Sequence, residues 1–505
     1  MQPKALFNRQ CASELSMSKT ITALITTTLL SSWLLGACQT TPTVPEKSPA
    51  VKPPPLEPYS LPSSPPDVLE ENTAKPVVLT NATVWTANGN IIENGYLVMR
   101  RGLIEDVGEG KAPTVEGARV MDLNGKIVTP GLIDTHSHIG VYANPGMKAH
   151  SDGNEATRPA TPEVWAEHGF WPQDPNIWRA VSGGVTTIQV LPGSANLIGG
   201  RSYIAKLRPK VSARLMRFPG APQGLKMACG ENPKRVYGSR GQMPSTRMGN
   251  VAGYRKAFQS AQEYQQKQIA YERNLAHWEK QKSEANTDEA IRELGDPPSP
   301  PPRDFAMESL VGVLEGRILV HNHCYRADEM SIMLDVAEEF GFQIRSFHHG
   351  LEAYKIRHRL AKTKTATSTW ADWWGFKMEA FDGIPQNVAL LEDAGAIAVV
   401  HSDSSSDIRR LHQEAKKAAT AGEKIGLQFT DDQILQWITK NPAWALGIEK
   451  HVGTIEKGKM ADVVVWDGSP FSVYTRAENV FIDGYLVFDR ANGIRPLSDF
   501  EIDMD

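Results

Sequence analysis

Residues 132–140 read "LIDTHSHIG", an apolar run that ends on Asp134, His136 and His138. Alternate residues of a strand share a face, so the two imidazoles can address one ion while Ser137 points away. Alone, such a pair is equally a hydrogen-bonded strand ending. Three later apolar runs end in the same manner: "RILVHNH" on His323, "FQIRSFHHG" on His349 and "AIAVVHSD" on Asp403. Imidazole and carboxylate are suitable donors for zinc or a similar divalent ion, one that lowers the pKa of a water and polarises a carbonyl.

Groups so far apart in sequence need a scaffold that gathers strand ends. Between residues 128 and 449, β-like runs such as "GVTTIQVLP" alternate with helical segments, which predicts parallel βα units with all strand ends at one mouth. A helix-favouring polar stretch at about 253–302, closed by "GDPPSPPP", reads as an insertion: a solvated arm, or else a lid or dimer contact. Residues 77–127 and 450–490 are β-rich with Asn-Gly and Arg-Gly turns, and most simply combine into one satellite domain.

With "TPGLIDTHSH", "GGVTT", "HSDSSSDIRRL" and "TKNPAWALGIEKHVGTIEKGKMADVVVWD", the chain from Pro76 to Asp489 resembles the amidohydrolase superfamily, most closely its imidazolonepropionase-like and exported peptidase-like branch. The resemblance implies a (β/α)8 TIM-like barrel, a small β-sandwich satellite domain and one or two metal ions, zinc foremost. It implies His136, His138, His323, His349 and Asp403 as ligands. Asp403 would also act as general base and then acid. His348 and His349 point to opposite faces of a strand, and the family's small residue after the histidine favours His349. For the fourth strand, "GLKMACGENPKR" offers Lys226, which relatives carboxylate to bridge two ions, or Glu231; the family pattern favours Lys226.

Substrate contacts are less distinct. The loop "LPGSANLIGGRS", with Asn196, could offer amides to an anion and is equally a plain turn. Tyr325 and Arg326 follow a predicted ligand, and Arg326 could meet a substrate carboxylate or a surface acid. Trp165, Trp171 and Trp178 read as packing residues.

The net charge of -4 lacks a dominant basic block, which argues against nucleic acid and for a small molecule or short peptide. The four cysteines form no CxxC pair; Cys229 and Cys324 are expected to be small buried residues rather than ligands. Residues 1–38 read as a signal peptide whose end, "LGAC", resembles a bacterial lipobox, with Met17 as an alternative start and Cys38 as the lipidated residue. Gln39 lacks the Asp character of inner-membrane retention, so the expected place is the outer membrane facing the periplasm, or the periplasm itself. Residues 39–76 are a Pro-rich linker. The lipid anchor is then the sole membrane attachment, and a homo-oligomer is compatible with the sequence. The expected activity is hydrolysis of a C–N bond in an amide, cyclic amide or short peptide through metal-activated hydroxide. The alternatives are an inactive lipid-anchored binding protein on the same fold and a deaminase.

Overall fold

The computed structural model describes residues 72–495. Cys38, the preceding apolar run and the linker up to residue 71 lie outside the described residues.

The extended segments of the central region lie in two sheets. Leu132–Ser137 pairs in parallel with Val185–Val190. A second arc runs in parallel through Gln223–Ala228, Ile318–Cys324, Ile344–His349, Ala366–Thr369 and Ala398–Val400. One run in the opposite direction lies between the arcs: Ile198–Arg201 pairs antiparallel with Gln223–Ala228, and Tyr203–Lys206 antiparallel with Val185–Val190. The ladder therefore falls into sheets of six and three strands, not the continuous parallel barrel expected from the alternating runs. Isolated hydrogen bonds span the two seams. At one, Ser202 donates its N–H to Gly224 O at 2.8 Å; at the other, Val400 N and Ile133 N donate to the carbonyls of Trp437 and Ile438 at 3.0 and 2.9 Å. The ladder lapses here because Ser202 turns the run from one neighbour to the other, and because Ala398–Val400 is only three residues long.

These strands are buried on both faces, as "VTTIQV" with its β-branched residues requires. Their outer faces meet helices such as Ala327–Phe340, which buries Met330, Met333, Leu334, Ala337 and Phe340 at three- and four-residue spacing. That helix stops at Gly341, whose left-handed φ of 76° is most readily adopted by glycine. The inner faces are partly polar. Thr135 donates to Ser368 Oγ at 2.9 Å, Ser346 and Ser368 hydroxyls pair at 3.0 Å, and Gln189 donates to Ser202 Oγ at 3.0 Å. A Cβ at Gly224 would come within 2.5 Å of Ser202 Oγ and 2.8 Å of His321 Cδ2, so this polar layer admits no side chain there.

Both ends of the described chain share one mixed sheet of eight strands. Within it Ile127–Pro130 lies parallel to Val77–Trp85 and antiparallel to Val463–Trp466. The sheet branches at Val77–Trp85, whose first half pairs with Arg119–Asp122 and whose second half pairs with Ile127–Pro130. It buries Leu79, Val84, Leu97, Val128, Val463 and Phe481 in a core of its own.

Ahead of a short helix, Asp288–Glu293, the polar stretch forms one long helix, Arg247–Glu284, starting before residue 253 because Thr246 caps it by accepting from Gly249 N. Its first half buries Tyr254, Phe258, Ala261 and Tyr264 along one stripe, against helices Phe305–Leu314 and Ala327–Phe340. Beyond Tyr271 it is largely exposed.

One core residue ties stability to pH. His412, on helix Leu411–Glu423, is buried against Trp466 with neither ring nitrogen hydrogen-bonded. Burial, helped by the charge of Arg476, lowers its pKa to about 4. The unfolded chain takes up a proton here that the folded chain refuses, so stability is lost as pH falls through the interval between the two values. Replacing His412 with Leu is expected to shrink the acid-side loss by on the order of 2 kcal/mol. Urea unfolding at neutral pH and near pH 4 measures it, and an unchanged difference between the two would contradict this account.

Candidate metal centre

The strand ends meet where Asp134 binds two of them together. Its buried carboxylate accepts from His136 N at 3.0 Å, Ser402 N at 3.2 Å and the Ser402 hydroxyl. Asp403 N donates to His136 O at 3.0 Å, closing the first strand onto the last. Burial raises the Asp134 carboxyl to about 6 against these stabilising hydrogen bonds.

Three imidazole nitrogens converge on the Asp403 carboxylate above this junction. Asp403 Oδ1 lies 3.1 Å from His138 Nε2 and 3.6 Å from His136 Nε2, and Asp403 Oδ2 lies 3.9 Å from His349 Nε2. Lys226 Nζ stands 3.5 Å from His136 Nε2. His349 and Asp403 both have left-handed backbones, with φ of 72° and 48°. Non-glycine residues hold that conformation at a cost of about 1–3 kcal/mol, and here it turns both side chains to the same point.

A relay of imidazoles orients His136. Its Nδ1 lies 3.0 Å from His348 Nδ1, and His348 Nε2 lies 2.9 Å from His321 Nδ1. Burial holds all three pKa values well below 6.5, so the rings are neutral and each carries one N–H. For His136 Nε2 to present a lone pair, Nδ1 must donate to His348, which then donates from Nε2 to His321. His138 is set by a shorter connection, Nδ1–H to Leu191 O at 2.9 Å.

Electrostatics favour an anionic Asp403 beside a weakly basic lysine. Burial alone would raise the Asp403 carboxyl, but its contacts with His138, His401 and Lys226 bring its pKa below the usual value. Burial brings the Lys226 ammonium down to about 7.

The donor set suits a divalent ion. His136, His349 and Asp403 hold ligand atoms within 4.8 Å of one another, as do His136, His348 and His401. Buried His349 Nδ1 and both nitrogens of His401 have no hydrogen-bond partner. Such polar atoms are costly to bury without a partner or an ion.

Not every predicted residue stands here. His323 is one ring further out, its centroid 4.6 Å from His349 and its Nε2 3.4 Å from Asn232 Nδ2. Glu231 lies on helix Glu231–Gly238, ion-paired to Lys377 at 3.5 Å and outside the cluster, so of the two fourth-strand candidates Lys226 is the one beside it. Asn196 is buried, its amide donating to Glu155 O, Arg158 O and Thr161 Oγ1 to brace the loop Glu155–Thr161. Arg326 is held by Asp328 through bonds of 2.9 and 3.0 Å. Tyr325 lines the mouth together with Asp403. His401 was missed as a partner in the cluster, although the alternation that pairs 136 with 138 also pairs 401 with 403; His321 and His348, set aside as ligands in favour of His323 and His349, stand behind His136 in the relay.

Cys229 and Cys324 are buried and stand outside the ligand groups, as expected, but the sequence did not indicate that they pair. They form a disulfide between neighbouring strand ends, with Cα atoms 5.2 Å apart, 95 residues apart in sequence. Cys229 N also donates to His323 O at 2.9 Å, so the bridge lies next to a predicted ligand.

The solved structure of an amidohydrolase from Thermotoga maritima MSB8 is 36% identical to this chain and superposes with a TM-score of 0.71, over 82% of this chain and 100% of that one. The chain belongs to the amidohydrolase family. That family comprises hydrolases acting on carbon–nitrogen bonds, and the fold is TIM-barrel-like α/β. The Amidohydrolase family pattern itself matches residues 382–491. Amidohydrolase tasK of Hapsidospora irregularis is 34% identical over 446 residues, covering 82% of this chain; the chain spans only 43% of that relative. A 5-methylthioadenosine/S-adenosylhomocysteine deaminase of Symbiobacterium thermophilum is 23% identical over 413 residues, 77% of this chain and 85% of that protein.

Two outcomes test this geometry. Protein loaded with zinc and dialysed should retain ion by elemental analysis, and the pair His136→Ala with His349→Ala should weaken retention at least tenfold; equal ion content in wild type and variant would refute the assignment. Replacing both Cys229 and Cys324 with Ser should lower the unfolding free energy in urea by about 2–4 kcal/mol. No loss under non-reducing conditions would show that the bridge contributes nothing.

Proposed function

We propose that this protein is an exported metal-dependent amidohydrolase that cleaves the C–N bond of an amide, cyclic amide or short peptide. The observation that carries the reading is the meeting of Asp403 Oδ1 with the Nε2 atoms of His136 and His138 at a mouth open to solvent. His136, His138, His349 and Asp403, with His323, would hold one or two ions, zinc foremost. A bound ion would supply a water of lowered pKa and polarisation of the substrate carbonyl. Asp403, anionic at neutral pH, takes a proton from the attacking water and returns it to the leaving nitrogen. The carbonyl carbon gains the hydroxyl, the C–N bond breaks and the nitrogen leaves as a neutral amine. His138, fixed by Leu191 O, keeps the carboxylate facing the reacting atoms.

Lys226 is proposed as the bridging group in carboxylated form: its neutral amine adds carbon dioxide, and a proton leaves. Its burial and its position beside His136 Nε2 support this. For the fold, the seams at Ser202 and at Trp437–Ile438 support reading the two sheets as one closed barrel, and the eight-stranded sheet as a satellite domain. Attachment through Cys38 to the outer membrane, facing the periplasm, is supported by the lipobox-like sequence and by the disulfide, which suits an oxidising compartment. A substrate of small-molecule or short-peptide size fits the mouth, and nucleic acid does not suit the charge. Similarity to the Symbiobacterium deaminase supports a second reading, hydrolytic release of ammonia from a ring.

The zinc- or manganese-loaded protein should hydrolyse members of a panel of N-acyl amino acids, dipeptides and cyclic ureides, with adenosine derivatives as the deaminase arm. Asp403→Asn should lower kcat at least a hundredfold while the unfolding midpoint stays close to wild type. Hydrolysis that survives this substitution would sink the assignment.

A further inference from the structure

Beside Asp403 the mouth widens into a cavity of about 530 Å³ whose other lining residues are Tyr325, Trp370, Asp372, Trp373, Trp374 and Phe376. Most of this wall comes from one segment, "WADWWGF", which follows strand Ala366–Thr369 and to which the hydrolytic mechanism assigns no part. Trp370 anchors it. Its indole N–H donates to Ser402 O at 3.0 Å, next to Asp403, and its ring stacks on His349 at 4.3 Å and 18°. Trp373 continues the stack at 5.3 Å and 15°, and Phe376 meets Trp370 edge-on at 5.9 Å.

The outer members of this wall are exposed. Trp373 is 41% accessible, Trp374 58% and Phe376 55%. Large aromatic surfaces left open side by side are costly in water and mark a binding site. The charges nearby are already matched. Asp372 is paired with Lys417 at 3.0 Å, and Lys377, 4.0 Å over the Tyr325 ring, is paired with Glu231 and Glu379 at 3.5 Å each.

We propose that this wall is a specificity subsite for an uncharged aromatic or bulky apolar group carried next to the scissile C–N bond. The inference rests on the hydrolase reading and sharpens its substrate class. Continuity of the wall with Asp403 in one cavity places the ring beside the bond that is cut, and flat stacking on Trp373 gives a planar group the advantage over an aliphatic one of equal area. Amino acids with charged side chains next to the bond are disfavoured, because no unmatched charge faces the wall.

The test uses full-length zinc-loaded protein with Gly-Gly, Phe-Gly, Gly-Phe and N-phenylacetylglycine. At least one ring-bearing substrate should exceed Gly-Gly at least tenfold in kcat/KM. Trp373→Ala and Phe376→Ala should erase most of that preference through KM, with hydrolysis of Gly-Gly altered less than threefold. Equal kcat/KM across the series in wild type, or an equal fall for all substrates in the variants, would overturn the subsite. Binding is measured separately by calorimetry of N-phenylacetylglycine, Phe-Gly and Gly-Phe with the Asp403→Asn protein and with the same protein carrying Trp373→Ala. Tenfold weaker binding in the latter supports the subsite even when no substrate is turned over, in which case the hydrolase reading alone fails. Undetectable binding of all three ring-bearing compounds, or equal affinity in the two proteins, refutes it. Circular dichroism melting of each variant separates loss of the subsite from loss of fold.

Discussion

A buried neutral imidazole has one donor and one acceptor, and everything at this centre depends on how that constraint is met. His321, His348 and His136 form a line of hydrogen bonds in which the direction of each fixes the next. Once His136 Nε2 is to face the mouth as a lone pair, all three tautomers follow. The polar layer beneath, with Thr135, Ser346 and Ser368, fills the interior with groups that satisfy one another and so do not compete for the same nitrogens.

The architecture around this line trades ladder continuity for placement. A uniform parallel barrel would keep every interstrand bond regular, yet here one run is reversed and two seams rest on isolated hydrogen bonds. At the second seam the last strand is short, and the chain leaves it through a left-handed Asp403. Asp134 stabilises that exit from below by receiving both residues flanking the junction, so backbone strain at one atom cluster is offset by hydrogen bonds at another.

Much of this was legible in the sequence wherever a local rule applied. Period-two alternation put His136 and His138 on one face, and the recurrence of polar run-ends located the mouth. The β-rich runs at both ends foretold a shared sheet, though not that it would be one sheet of eight strands. The misses are non-local. Asn196 looked like a ligand for substrate because a Gly/Ser/Asn loop cannot disclose that its amide is used up by Glu155 and Arg158. Arg326 is not among them: a surface acid was one of its two expected partners, and Asp328, two residues on, is that acid. Cys229 and Cys324 are brought together only by strand register, which spacing in sequence does not encode. His401 shares a face with Asp403 by simple alternation, so this residue was within reach of the sequence.

The disulfide has a topological result that reaches beyond its own neighbourhood. It closes a loop containing the whole of helix Arg247–Glu284 and the exposed stretch after it. A protease that cut the chain in that exposed stretch would leave two pieces still joined covalently beside His323, with the strands Gln223–Ala228 and Ile318–Cys324 tied at their ends. The exposed end of the insertion is thus a segment whose backbone can be severed while the two strands stay covalently joined, whereas the first half of the helix, packed into the core, has no such freedom.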